Sequence, residues 1–151
     1  MKAKLTAEAL KAKLQAEIPL ANYLNFEFIE ATHERVHIKA GLAGNTNHKG
    51  TAFGGSLYVL AVLSAYSLVY LGVHDEGVDT NNVVIQHGEM EYLAPVVADF
   101  EIVCEHVRPE IERKFFSALA RWNKVRETFV ARIECNGVLC AKLTSVFVVK
   151  K

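Results

Sequence analysis

The sequence predicts an α+β fold in which a curved antiparallel sheet wraps around one long central helix. Three observations carry that expectation. Residues 53–73 contain no charged side chain, and a helix that is apolar all round is usually buried all round. Extended segments precede this run and dominate the chain beyond it, rich in Val, Ile and Phe as pleated, half-buried surfaces favour. Asn136-Gly137 separates the last two of them, the strongest short hairpin signal in the chain.

Each element has its own local signal. Leu5, Leu10, Leu14 and Ile18 recur at helical spacing after Thr6, a fair N-cap, and Pro19 ends or bends that first helix. Phe26, Phe28 and Glu30 then alternate, as do Val36, Ile38 and Ala40 beyond a turn at His33-Glu34, which reads as a hairpin. Residues 41–51 have loop composition, with glycines at 41, 44 and 50 and asparagines at 45 and 47. After the apolar helix, residues 79–82 read as a connection. Residues 83–93, 100–107, 127–135 and 138–149 read as strands. Between residues 107 and 127, Pro109 suits the first position of a helix whose apolar face is Ile111, Phe115, Leu119 and Trp122.

A chain of 151 residues, 51% of them hydrophobic, suffices for one core, so a single domain over residues 1–151 is expected. Cys104, Cys135 and Cys140 leave one thiol over in any pairing and show no Cys-x-x-Cys spacing. They read as packing residues of a reduced, cytoplasmic protein that needs neither metal nor cofactor. Residues 1–14 lack the apolar core of a signal peptide. Residues 53–73 have the length of a membrane span, but Ser56, Ser64 and Ser67 and the want of a second such segment favour a core helix and no membrane. Net charge is zero yet unevenly placed: residues 1–107 carry 7 basic and 13 acidic side chains, residues 108–151 carry 10 and 4. The basic final third suits an acidic partner, or is simply a solvated surface. Neutrality and the absence of a motif argue against nucleic acid.

The run Asn45-Thr46-Asn47-His48-Lys49-Gly50-Thr51-Ala52-Phe53-Gly54-Gly55-Ser56, leading into the apolar helix, resembles the hot-dog superfamily, many of whose thioesterases open the central helix with His-Gly-Gly. More closely it resembles the YiiD-type branch, found alone or behind an acetyltransferase-like domain in bacterial proteins, with members known as malonyl-acyl-carrier-protein decarboxylases. The likeness runs from Ile18-Pro19 to the final hairpin, and Asn-x-Asn-x-x-Gly-Thr-x-Phe-Gly-Gly is its specific part. It implies a hot-dog fold, a homodimer, and an acyl thioester of acyl carrier protein or coenzyme A as substrate.

The chemistry of the run agrees. Gly54 and Gly55 let a ligand approach the backbone, and free N–H groups at a helix start favour an oxygen gaining negative charge. The competing reading is a tight helix–sheet turn. Asn45 and Asn47 can donate to a carbonyl or carboxylate and cannot act as bases near neutral pH; for both, local turn chemistry competes. The resemblance matches Asn45 to the residue associated with decarboxylation, and Asn47 to one that orients water in several thioesterases. His48, Thr51, Phe53 and Ser56 are expected to contact substrate, as is His87, delivered from a partner subunit. For His48 and His87 the competing readings are an exposed loop and a sheet surface. Ser64 and Tyr66 could also face the pocket.

One departure from the thioesterase pattern bears on the reaction. Phe53 replaces the His, Val62 stands at the acidic helical position, and residues 53–73 hold no Asp or Glu. Hydrolysis gains ~10²–10⁴-fold from a base. Loss of a β-carboxylate needs none; it needs that carboxylate held out of the thioester plane and the enolate stabilised. The expected activity is therefore decarboxylation of malonyl-acyl carrier protein to the acetyl thioester, priming fatty-acid synthesis. An acyl thioesterase and a non-catalytic acyl-thioester binder are the alternatives. Arg108, Arg113, Lys114, Arg121, Lys124 and Arg126 are the expected docking cations for an acidic carrier.

Overall fold

Burial of the uncharged segment organises the chain. The computed structural model describes residues 3–107 and 109–151, and all their side chains except those of Pro109, Ile111, Glu112 and Arg113. In it the segment is one 22-residue helix, α2 (Gly54–Asp75). A six-stranded sheet, β1-β2-β4-β5-β6-β3 in spatial order, curves around it. Its strands are β1 (Phe26–Ala31), β2 (Arg35–Ala40), β3 (Val83–Tyr92), β4 (Phe100–His106), β5 (Lys124–Cys135) and β6 (Val138–Lys150), every neighbouring pair antiparallel. Helix α1 (Ala7–Glu17) and a short 3-10 turn (Pro19–Tyr23) precede the sheet, and α3 (Pro109–Arg121) joins β4 to β5.

By length and composition α2 could cross a membrane, but 67% of its most apolar window is buried within the fold. Leu60, Ala61, Leu68 and Val69 are fully enclosed, as are Ile38, Ile102, Phe129, Ile133 and Leu143 of the sheet. Each such side chain larger than alanine contributes roughly 1.5–3 kcal/mol of transfer free energy. The helix is the core.

Local signals explain the element ends. The Thr6 hydroxyl accepts from the Ala9 N–H at 3.1 Å, capping α1. Asn136 and Gly137 take φ of 51° and 78°, the paired left-handed geometry of a tight hairpin turn. The three cysteines are free and buried, and burial pushes the Cys104 thiol up to about 12.

Three expectations need correction. Alternation in β1 breaks at a bulge between Phe28 and Glu30, so that Glu30 pairs with His37 and Ala31, not Glu30, opposes the buried Val36. Trp122 does not join the apolar face of α3: the helix ends at Arg121 and Trp122 is 64% exposed. Phe116 is buried instead, beside Phe115 and Leu119; the Ile111 side chain lies outside the described residues. Ser64 faces no pocket, being fully buried with its hydroxyl donating to the Ala61 carbonyl at 2.7 Å. Tyr66 is half-buried beneath Lys13 of α1, whose ammonium lies 3.4 Å from its hydroxyl.

Phe116 docks α3 onto α2 through Gly72, where a Cβ would fall 2.0 Å from the Phe116 ring. Replacing glycine by alanine inside a helix ordinarily gains about 1 kcal/mol. Gly72→Ala should instead lose about 1–3 kcal/mol by overpacking, read as a lower urea midpoint at unchanged slope. A gain would show that the α2–α3 contact is slack.

Candidate functional site

The loop before α2 is held by its asparagines. Asn45 is buried, and its Nδ2 donates to the carbonyls of Leu24 at 2.7 Å and Gly41 at 2.9 Å. Its backbone carbonyl accepts from the Phe53 N–H at 2.7 Å. Both amide hydrogens are thus committed to the chain, while Oδ1 is buried with no partner among the described residues. Asn47 closes the tip: Nδ2 donates to the Thr51 hydroxyl at 2.8 Å, and Oδ1 accepts from the N–H groups of Lys49 and Thr51. Turn chemistry of this kind lets asparagine substitute for backbone pairing. A bridge between Thr46 and Ala52 completes the small loop, and His48 is exposed near its tip.

The loop delivers the chain to α2 in a particular way. The N-cap residue Phe53 has φ −67° and ψ 131° and supplies no side-chain cap. Its own N–H is spent on Asn45, and the first helical bond runs from Leu57 N–H to Phe53 carbonyl. The N–H groups of Gly54, Gly55 and Ser56 therefore have no acceptor among the described residues, and all three residues are partly exposed. Three unpaired donors at the positive end of a long helix form a site for an oxygen that carries or gains negative charge.

Aromatic walls flank these donors. The Phe53 ring lies against Gly55, where a Cβ would sit 2.5 Å from it. On the other side the Tyr92 ring packs on Gly54, and its hydroxyl donates to the Gly54 carbonyl at 2.8 Å. Burial, and secondarily the neighbouring Tyr58 phenol, push the Tyr92 phenol up, so it remains a donor at neutral pH. An open cleft of about 310 Å³ runs between Gly54 and Leu57 of the first turn and the segment from Tyr92 to Val96. No carboxylate or imidazole lines it among the described residues.

The structure brings together Asn45, Asn47, Thr51, Phe53, Gly54, Gly55 and Ser56, and within the protomer it turns His87 to the other face of the sheet. Ala or larger at Gly88 would strike the Tyr58 hydroxyl of α2 at 2.1 Å, so Gly88 faces the helix. His87 and Glu89, its chain neighbours, face the opposite side of the sheet. A bulge between Ile85 and His87 sets this phase. Of the expected docking cations, Lys114, Arg121, Lys124 and Arg126 are exposed, while Arg108 and the Arg113 side chain lie outside the described residues. Tyr92 and Tyr58 were not singled out from sequence. The available signal was period-two spacing along residues 88, 90 and 92, which places Tyr92 on the face of Gly88 and Met90.

Comparison with known proteins places the chain. Residues 7–151 match the family model described as "Putative thioesterase (yiiD_Cterm)". The chain belongs to this family. Among solved structures it is similar to one titled "putative thioesterase" from Shewanella oneidensis, at 25% identity and a TM-score of 0.85, covering 96% of this chain and 97% of that one. A protein of unknown function from Chlorobaculum tepidum shares 28% identity at a TM-score of 0.89, covering 99% of both chains. A mutant thioesterase from Pseudomonas aeruginosa is 15% identical at a TM-score of 0.73, covering 99% and 98%, and that likeness speaks to the fold alone. No curated protein matches. The fold is thus the hot-dog arrangement expected, and the family supports chemistry on acyl thioesters.

If Asn45 acts chiefly by tying the loop down, Asn45→Ala removes the partner of the buried Leu24 carbonyl and of the part-buried Gly41 carbonyl and should cost about 1–3 kcal/mol, measured by urea unfolding. Full loss of activity at unchanged stability would assign the side chain to the reaction itself.

Proposed function

We propose that this protein decarboxylates a malonyl thioester to the acetyl thioester at the N-terminus of α2. The observation that carries the reading is the trio of unpaired N–H groups at Gly54, Gly55 and Ser56, flanked by the Phe53 and Tyr92 rings and adjoining, at Gly54, a cleft that no base lines among the described residues. The thioester oxygen accepts from the trio. As the bond between the α-carbon and the β-carboxylate breaks, CO2 leaves and the electron pair passes into an enolate whose oxygen the N–H groups stabilise. A solvent proton then returns to the α-carbon. Phe53, Tyr92 and Leu57 give the carboxylate an apolar flank. Asn45 and Asn47, with Thr51, hold the loop so that the donors stay aligned. His48 is free to meet the carrier end of the substrate, and His87 has no part in the reading.

A homodimer belongs to the same proposal. Strand β3 is a sheet edge with Val84 and Ile85 exposed on it, the kind of edge that proteins cover. On α2 the residues turned towards the sheet's opening, Tyr58, Val59 and Val62, are only half-buried. A two-fold axis perpendicular to the sheet would pair the two β3 strands antiparallel. It would also keep both helices on one side, so that the two half-buried stripes cover each other.

Thioester hydrolysis is the second reading, favoured by the family description. Purified protein given malonyl and acetyl thioesters of carrier protein and coenzyme A separates the two. Decarboxylation yields CO2 and acetyl thioester from malonyl substrates only. Free malonate and free thiol would establish hydrolysis instead. Gly54→Pro removes one donor while suiting the helix start, because ψ 131° at Phe53 is the geometry that precedes proline. It should lower kcat about 10²-fold, and undiminished turnover would remove Gly54 from the site.

A further inference from the structure

The two rings beside the α2 N-terminus differ in one respect that bears on the chemistry. Phe53 carries no exchangeable proton. Tyr92 carries a phenol, and the fold fixes where it sits. Tyr92 ends β3 opposite Ala141 of β6, and the next two N–H groups, of Leu93 and Ala94, donate to the Cys140 carbonyl at 2.7 and 3.1 Å. Alternation along the strand turns the side chain towards the helix. There Gly54 has no side chain to hold it off: a Cβ would stand 3.3 Å from the ring and 3.4 Å from the hydroxyl. The hydroxyl donates to the Gly54 carbonyl at 2.8 Å, on the residue that supplies the first unpaired N–H.

A proton-bearing group at this place answers a need of the reaction. Once CO2 has left, the α-carbon of the enolate must take up a proton, a transfer that a positioned acid accelerates about 10²–10⁴-fold. Other acids nearby are turned elsewhere. The Tyr58 phenol lies against Gly88, four residues back along β3. The Thr51 hydroxyl is engaged by Asn47 Nδ2 at 2.8 Å. Ser56 stands about 200° round the helix from Gly54, and His48 is exposed near the loop tip. Burial holds the Tyr92 phenol above its ordinary range, so the proton is in place near neutral pH. The residue is still 55% exposed, so solvent can replace that proton after use.

We propose that Tyr92 is a catalytic acid whose hydroxyl protonates the α-carbon of the enolate formed at the α2 N-terminus. The inference rests on the decarboxylation reading above and names the group through which the solvent proton arrives. The O–H bond swings from the Gly54 carbonyl about the phenol C–O bond, with the ring unmoved. It breaks as the new C–H bond forms from the enolate's electron pair. The phenol oxygen keeps the O–H pair as phenolate, and a proton from water restores it. A phenol is a far stronger acid than the C–H bond it makes, so the transfer runs downhill. Phe53 can give nothing, so the α-carbon takes its proton on the face turned to Tyr92.

The face of protonation is measurable. A 2-fluoro-2-methylmalonyl thioester has no exchangeable α-hydrogen, and losing CO2 turns it into a chiral 2-fluoropropionyl thioester. Wild-type protein should give predominantly one enantiomer. Tyr92→Phe keeps the ring on Gly54, its folding checked by the urea midpoint, and should still release CO2 but form both enantiomers in near-equal amounts. A single enantiomer from Tyr92→Phe, or a racemate from wild type, overturns Tyr92 as the acid and leaves decarboxylation standing. If the added substituents keep wild type from turning the analogue over, the malonyl thioester replaces it. Tyr92→Phe should then lower kcat about tenfold at unchanged KM, water standing in for the phenol, and an undiminished kcat overturns the proposal. Free thiol and free diacid from wild type, without CO2, would instead overturn the decarboxylation reading, which tells the two failures apart.

Discussion

An uncharged helix has to be kept from water, and most of this structure is a consequence of that one constraint. From Gly54 to Val73 helix α2 carries no charged side chain, so the sheet must curve around it instead of lying flat beside it. Six strands almost achieve this. The gap that remains runs along β3 and the half-buried stripe of Tyr58, Val59 and Val62. The same constraint shapes the candidate site: a helix whose sides are mostly covered presents chiefly its ends, and its N-terminal end is the one that attracts developing negative charge.

What makes that end usable is how little covers it. Capping side chains usually satisfy the first N–H groups of a helix. Here Phe53 occupies the capping position and offers no acceptor. Glycines at the next two positions keep the backbone bare, while Phe53 and Tyr92 form walls instead of plugs. The asparagines stabilise the loop from behind. Asn45 ties it to the carbonyls of Leu24 and Gly41, which fixes the direction from which the chain enters the helix.

Much of this was legible in the sequence because the signals are local. The charge-free run, the Thr6 cap, Pro19 and Asn136-Gly137 each act within a few residues of themselves. The glycine pair and the loop asparagines were legible as a candidate site for the same reason. Features joined across the fold were not. The Tyr92 hydroxyl meets the Gly54 carbonyl 38 residues away, and nothing near either residue announces it. The Asn45 amide finds its partners, 21 and 4 residues distant, only once β1 and β2 have paired. The facing of His87 is another such feature. Plain alternation from Val83 and Ile85 would turn it towards the helix, and the bulge before it reverses the phase of the rest of the strand.

The central claim is that the bare N–H groups of α2 hold the substrate oxygen. A crystal structure with an unreactive malonyl thioester analogue, its sulfur replaced by a methylene, tests it most directly. The account predicts the carbonyl oxygen within about 3.2 Å of at least one of the Gly54, Gly55 and Ser56 nitrogens, with the carboxylate turned against Phe53 or Tyr92. An analogue seated elsewhere, with those nitrogens bonded only to water, would contradict it.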